Sequence, residues 1–261
     1  MKNEKCSILV VGCDEYVDVA ILNAYYKNMY CSNCAFKYYL VTQQKCKELD
    51  KTYDEIIYAG KNAAWTDRVL LALKQIDTDY IILLCDDFFV HQEISSEWIS
   101  EQIEFMEKEN VGFIKLMYSG APKKANKFEN GYWNLVEEEV FRVSFTAGLW
   151  GKKYLEKLLN KGESAWEAER TCCLNSRNYQ EQIAVVDKQY IDIFHTVMSG
   201  GWIRKAYRRF VKDEIPSELY EHRKKKSIYI YIKDLIYNII MHIFDQEQIL
   251  KLQNKMKIGR R

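Results

Sequence analysis

Apolar residues in this chain fall in short unbroken runs separated by stretches of helical period, a pattern that predicts doubly buried strands alternating with amphipathic helices. Ser7 to Val11 is the first run, closed by the turn Gly12-Cys13-Asp14-Glu15. Val17 to Met29 follows, with Val17, Ile21, Leu22 and Tyr25 on one helical face. Lys37 to Thr42 and Glu55 to Tyr58 read as the second and third strands, and Asn62 to Ile76 as a helix with Trp65, Val69, Leu70 and Leu73 inward. Tyr80 to Leu84 is a β-forming run too short for a helix, and Asp86 and Asp87 come directly after Cys85. In an open α/β sheet ligands bind at the carboxyl ends of the strands, so these two carboxylates are delivered to that crevice. Adjacent acids repel each other unless a cation intervenes, and hard oxygen ligands suit Mg²⁺ or Mn²⁺.

The second half repeats the alternation less regularly. Ser95-Ser96-Glu97 starts a helix running from Trp98 to Glu109, and Gly112 to Met117 is a strand. Tyr118 to Glu139 is polar, ends in the acids Glu137 to Glu139, and reads as a long loop or a short hairpin excursion. Phe141 to Trp150 predicts a strand and Lys153 to Asn160 a short helix. In Gly162 to Glu169, Glu167 and Glu169 flank a helix start beside Trp166, serving either as dipole-complementing acids or as a general base next to a stacking surface. Ile183 to Val186 and Tyr190 to Ile193 predict a final hairpin. After it come His195 and the pair Gly200-Gly201 before Trp202, where backbone can approach a ligand closely. Arg204, Lys205, Arg208 and Arg209 nearby suit a diphosphate.

Composition changes this picture in three places. The net charge is +1 over 261 residues, which excludes a globally polyanion-binding protein and gives no reason to expect nucleic acid as a partner. The charge is uneven: residues 203–261 carry 15 Lys/Arg against 7 Asp/Glu. Within that end, Arg223 to Lys226 precedes a run from Ser227 to Phe244 that reads as an amphipathic helix on anionic lipid, or as a helix docked on the catalytic domain or a second subunit. Eight scattered cysteines predict buried free thiols; Cys31 and Cys34 have CxxC spacing, with no second pair at zinc-ribbon distance. Met1 to Lys5 leads into no signal-peptide pattern, so a cytosolic protein is expected. No GxGxxG and no GxxxxGK[ST] follows the first strand, which excludes the dinucleotide and P-loop phosphate cradles there.

Taken in order, these segments resemble the bacterial GT-A glycosyltransferases that use nucleotide-diphosphate sugars, especially those of capsule and O-antigen synthesis. The likeness runs over roughly residues 5–210. It rests on Ser7 to Glu15, Trp65-Thr66-Asp67-Arg68, Tyr80 to Phe89 with its Asp86-Asp87, Ala147 to Trp150, Ser164 to Glu169, and His195 to Trp202. It implies an α/β, Rossmann-like GT-A architecture: a mixed, mostly parallel sheet flanked by helices over residues 1–210, with a basic helical extension over 211–261. It further implies Asp86, Asp87 and His195 around Mn²⁺ or Mg²⁺. Gly12, Cys13, Asp14, Asp67, Arg68, Asp86, Gly201 and Trp202 would line the donor, expected to be a UDP-sugar, and Glu167 or Glu169 would be the catalytic base of an inverting transfer. The family writes its acidic motif Asp-x-Asp, whereas here Phe88 follows Asp86-Asp87. A lipid-linked saccharide acceptor would place the protein at the inner membrane surface, where a homo-oligomer is also conceivable.

Two other classes use the same pieces. A nucleotidyltransferase also sets acids after a strand for Mg²⁺, but opens on a Gly-rich or basic triphosphate loop, and Gly12-Cys13-Asp14-Glu15 is acidic. A non-enzymatic membrane-associated interaction protein would leave the acidic pair, the Trp166 to Glu169 segment and the His195 to Gly201 segment without a shared purpose.

Overall fold

The first half forms as its pattern dictates. In the computed structural model, which describes residues 5–32, 34–118, 121–122, 124–136 and 141–226, β1 (Cys6–Val11), β2 (Tyr38–Thr42), β3 (Glu55–Tyr58) and β4 (Tyr80–Cys85) lie parallel in the order β3-β2-β1-β4. Helices α1 (Val17–Tyr30) and α2 (Trp65–Gln75) make the connections. Strand residues alternate between two cores because successive side chains leave opposite faces. Ile8, Val10, Ile82 and Leu84 pack under α1 and α3 (Ser96–Lys108), while Leu9, Val11, Ile81 and Leu83 pack under α2, α4 (Lys152–Leu158) and α5 (Ala165–Asn175).

Beyond β4 the sheet becomes mixed. β9 (Ala147–Gly151) lies antiparallel between β4 and β6 (Val111–Lys115), and β10 (Gln182–Val185) runs parallel to β6. The polar stretch makes the hairpin β7 (Ala125–Lys127) and β8 (Trp133–Leu135), which closes a nine-stranded sheet against β10. β9 packs closely on its neighbour: Trp150 stacks on Phe113 with centroids 3.6 Å apart, and a Cβ on Gly148 would lie 2.1 Å from the Phe113 ring. This is the expected α/β architecture, a large, mostly parallel sheet flanked by helices.

Three elements differ from expectation. Phe141 to Thr146 is not strand: Val143 N–H donates to the Cys173 thiol, and the buried Arg142 donates to Leu135 O and Ser176 Oγ, so side chains satisfy polar groups that a ladder would have used. The expected hairpin of Ile183 to Val186 with Tyr190 to Ile193 does not form. Its first half is buried on both faces as β10, whereas β11 (Ile193–His195) crosses to pair antiparallel with β5 (Phe88–Val90). The small hairpin β12 (Val197–Met198) and β13 (Gly201–Trp202) then leads into α6 (Arg204–Lys212), a helix the sequence reading left unassigned.

A third core joins these pieces to α1. Leu22 and Tyr26 meet Phe89, Trp202, Phe210, Ile215 and Tyr220, so the described part of the basic extension, residues 211–226, packs against the α/β body. Glu137 to Glu139 and the amphipathic helix expected over 227–244 lie outside the described residues. Among the described residues no helix is long and apolar enough to cross a membrane. All eight cysteines are free thiols; Cys31 is buried and donates to Gln92 O at 3.4 Å.

Candidate functional site

The carboxyl edge of the parallel strands is where the expected residues gather. Asp86 follows β4 directly, and its N–H donates to Val11 O at 3.2 Å, which continues the β1–β4 ladder one step past the strand. Its side chain is buried at 6% exposure. It points toward Gly12, where a Cβ would stand 3.4 Å from Asp86 Oδ2 and 3.2 Å from Leu40 Cδ1. A Cβ at Gly12 would thus meet the carboxylate at ordinary contact distance and press on Leu40 instead. Burial first, then the neighbouring Asp87 charge, pushes the Asp86 pKa well up, opposed by the Arg68 guanidinium and the Cys13 backbone N–H. Burial and the Asp86 charge likewise raise the Cys13 thiol, to about 12. Asp86 Oδ2 and Arg68 Nε are both buried without a hydrogen-bond partner. Unpartnered buried polar atoms are costly, and at a crevice they mark groups whose partner is a ligand.

Asp87 stands with Asp86 in the turn between β4 and β5, and its side chain meets His195. His195 Nε2 lies 2.9 Å from Asp87 Oδ2, and the imidazole stacks on Phe88 with centroids 4.8 Å apart and planes 8° from parallel. The β5–β11 ribbon fixes this geometry, with His195 opposite Phe88 and both the N–H and the hydroxyl of Thr196 donating to Asp87 O. From below, Asn23 on α1 donates to Asp86 O and Phe88 O, both at 3.1 Å. Asn23 and Thr196 were missed by sequence reasoning; the only trace was an amide on the otherwise apolar face of α1.

Asp86, Asp87 and His195 do not converge as a cage: among the described residues no group of three His, Cys, Asp or Glu side chains is arranged to hold a metal ion. Two donors remain, the Asp87 carboxylate and the His195 imidazole. Mg²⁺ and Mn²⁺ at phosphate sites are commonly held by one or two protein groups, with phosphate oxygens and water completing the shell. The pair fits such an ion, and its nitrogen favours Mn²⁺ over Mg²⁺.

The two glutamates of α5 separate clearly. Glu167 closes a capping box: Ser164 N–H and Oγ–H donate to Glu167 Oε2 at 3.0 and 2.8 Å, and Glu167 N–H donates back to Ser164 Oγ. Glu169 turns inward and accepts from Phe145 N–H at 2.8 Å, while Phe145 O accepts from the Cys85 thiol at 3.3 Å. One backbone residue thus links Glu169 to the end of β4. Burial raises the Glu169 pKa, offset in part by the Phe145 N–H and by the charges of Lys115 and Arg170.

The remaining candidates divide into those facing the crevice and those holding it. Arg68 is buried beside Asp86. Asp67 accepts from Ala64 N–H and Gly162 N–H, so it caps α2 and ties it to the loop before α5. Asp14 accepts from the backbone and side-chain N–H groups of Gln44, joining the turns after β1 and β2. Gly201 and Trp202 meet the chain itself: a Cβ on Gly201 would lie 2.8 Å from Lys224 O, and fully buried Trp202 donates its indole N–H to Tyr220 O at 2.7 Å. The close approach that Gly201 allows is to Lys224 and Lys226, while nothing lies within 4 Å of where a Cβ on Gly200 would stand. Arg223, read from the sequence as part of a basic cluster facing anionic lipid, stacks on Tyr16 at 4.7 Å and donates to Asp18, Glu15 O and Gly200 O.

Comparisons with known proteins agree with the architecture. No protein-family model matches the sequence, and no curated protein matches it. Among solved structures, HddC from Yersinia pseudotuberculosis superposes with a TM-score of 0.52 at 8% identity, over 80% of this chain and 99% of that one. A CMP:2-keto-3-deoxy-manno-octonic acid synthetase complexed with CTP gives 0.49 at 12% identity, over 81% and 100%. S. aureus TarS gives 0.46 at 14% identity; the match covers 74% of this chain and only 37% of TarS. At such identities the HddC likeness is one of fold, and the α/β sheet flanked by helices is what it supports.

Proposed function

We propose that this chain is a metal-assisted glycosyltransferase that moves a sugar from a nucleotide-diphosphate donor to an acceptor hydroxyl with inversion. The observation that carries the reading is Glu169, a carboxylate of raised proton affinity tied through Phe145 to the strand end that presents Asp87 and His195. Asp86 and Arg68, whose buried polar atoms lack partners, would face the nucleoside, and Asp87 and His195 would hold the cation. With Mn²⁺ or Mg²⁺ bound there, negative charge on the departing diphosphate is offset. Glu169 takes the proton of the acceptor hydroxyl as its oxygen bonds to the anomeric carbon, and the bond from that carbon to the diphosphate oxygen breaks on the opposite face. A base that binds its proton too weakly leaves the hydroxyl undeprotonated, so a carboxylate shifted upward suits the task.

Nucleotidyl transfer fits these residues less well. It calls for cationic or glycine-rich backbone at the first turn, whereas Asp14 and Glu15 stand there and the Asp14 carboxylate is engaged by Gln44. The basic segment 211–261 suits an anionic membrane surface, and an acceptor carried on a lipid diphosphate, as in surface polysaccharide synthesis, would explain its presence on the cytoplasmic side.

The test is a melting panel of UDP, GDP, CMP and TDP, each with and without Mn²⁺, on the protein and on Asp87→Ala. A nucleotide at about 100 times its Kd should add about 2.7 kcal/mol. One nucleotide should stabilise only with Mn²⁺ and only while Asp87 is present. Silence across the panel, or pyrophosphate release from a nucleoside triphosphate and a sugar phosphate, would remove this reading.

A further inference from the structure

The turn that ends α1 brings two thiols together. Cys31 caps the helix by donating its N–H to Lys27 O at 2.7 Å, and Cys34 N–H donates to Cys31 O at 3.1 Å. A turn closed three residues on keeps its end Cα atoms within about 7 Å, and disulfides join Cα atoms about 4.4–6.8 Å apart. Cys31 is 2% exposed and Cys34 half-buried, so the pair lies just under the surface. Beside it stands Tyr38 of β2, whose hydroxyl is fully buried and has no hydrogen-bond partner. A buried hydroxyl without an acceptor is costly, and a thiolate at Cys31 would supply one.

These surroundings set the pair apart from the other thiols. Hydrogen bonding by the Cys34 thiol outweighs burial and brings Cys31 down to about 7. The same bond, with burial, drives Cys34 up. In Cys6, Cys13, Cys85, Cys172 and Cys173 burial comes first and pushes the thiol up, as the Glu48 carboxylate does in Cys46. The sulfur of Cys31 is thus held ready as a nucleophile, with a second thiol beside it to complete a disulfide. Its slight exposure admits a small neutral oxidant and keeps out a bulky one.

We propose that Cys31 and Cys34 are a peroxide-sensitive pair that closes to a disulfide and thereby loosens the end of β5. Cys31 gives up its proton, and its sulfur bonds to one oxygen of hydrogen peroxide as the O–O bond breaks. The departing hydroxide takes up that proton as water, and a sulfenic acid remains on Cys31. The Cys34 sulfur then bonds to the Cys31 sulfur, the S–O bond breaks, and the second hydroxide leaves as water with the Cys34 proton. Two electrons pass from the pair to the peroxide, and a dithiol restores both thiols by exchange. The new bond removes the S–H that Cys31 donates to Gln92 O at 3.4 Å. Gln92 adjoins His91, whose Nε2 lies 3.0 Å from the Tyr30 hydroxyl. These two contacts tie the end of α1 to the chain leaving β5, and closing the disulfide takes one of them away.

The experiment exposes the fully reduced protein to a graded series of hydrogen peroxide, blocks the remaining thiols by alkylation, and weighs the tryptic peptides. Residues 28–37 form one such peptide and carry both cysteines. At low peroxide it should lose the mass of two hydrogens before any other cysteine peptide changes, and dithiothreitol should reverse the loss. In Cys34→Ser, fragmentation should place a gained oxygen on Cys31; in Cys31→Ser, Cys34 should react roughly tenfold more slowly or less. Amides of residues 88–92 should exchange hydrogen faster in the oxidised protein than in the reduced one. A peptide that keeps both hydrogens while other thiols oxidise overturns the proposal, and the unaltered chain alone suffices for that reading. Equal reactivity of the two single variants overturns it as well. A disulfide that forms while exchange over 88–92 stays unchanged overturns the loosening, and with it the proposal.

Discussion

The two flanks of the crevice are built on different principles. On the α5 flank, Glu169 is held by a backbone N–H, a capping box and the buttoning of Thr66 to Glu163, all short links at the border of an apolar core. On the β5–β11 flank, Asp87 and His195 ride a two-stranded ribbon clasped by charge. His91 lies between Asp192 at 3.1 Å and Asp213 at 3.0 Å, Arg209 pairs with Asp192, and Arg223 and His222 pair with Asp18. Tyr26 O–H also donates to Asp213 Oδ2 at 2.8 Å. One flank therefore takes its rigidity from backbone groups insensitive to salt, and the other from half-buried ion pairs joining residues far apart in sequence.

The sharpest cut through this comparison is chemical. Glu169→Gln keeps the shape and the acceptor for Phe145 N–H but removes the base, so the transfer rate should fall by about 10²–10⁴ with melting nearly unchanged. Equal losses in rate and stability would make Glu169 merely structural. Because its pKa is raised, the rate should fall on acidification while the carboxyl takes up its proton at a pH above the ordinary glutamate range, a fall absent in Glu169→Gln. The same shift works against stability at neutral pH, since the folded state binds that proton more tightly than the unfolded chain does.

On the clasped flank, Arg223→Ala should cost about 2–3 kcal/mol by leaving Asp18 half-buried with His222 as its remaining partner, and it should weaken Mn²⁺-dependent nucleotide binding as well. Urea unfolding and nucleotide titration check the two parts; an unchanged midpoint would disconnect the clasp from the ribbon. Burial opposes ionisation of Asp18, but the hydrogen bonds from Arg223 and then His222 outweigh it and hold its pKa below the ordinary value. Its contribution is complete above the unfolded pKa and disappears as pH falls through the lower folded one, so Asp18→Asn should narrow the gap to wild type only in strong acid. The smallest effect belongs to the α5 cap. Ser164→Ala should cost about 1 kcal/mol in urea unfolding, with no added salt dependence.

The apolar flank was the legible one. Runs such as Tyr80 to Leu84 announce doubly buried strands, and acids directly after them announce the edge, so β1 to β4 and the position of Asp86 and Asp87 followed from the pattern alone. The clasped flank was not readable from the pattern, because pairings such as Arg223 with Asp18 span more than a hundred residues and leave no period; only the family resemblance set His195 beside Asp87. For the same reason α6 was seen only as a set of cations: its five basic residues hide the positions Ala206 and Phe210 that bury it. Glu167 and Glu169 were equivalent in sequence, and only the direction of each side chain, to its own helix end or to Phe145, tells them apart.

The reversed strand β9 also sets a timetable for the growing chain. Until residues 147–151 have emerged, β4 has one edge unpaired, and β6 must wait for the same strand on one side and for β10 on the other. Pairing across such separations is slow, and open apolar edges recruit other chains in the interval. A nascent or truncated product ending before Ala147 should thus aggregate, one ending near Val186 should close the sheet, and the Asp87–His195 pair should exist only after His195 has left the ribosome.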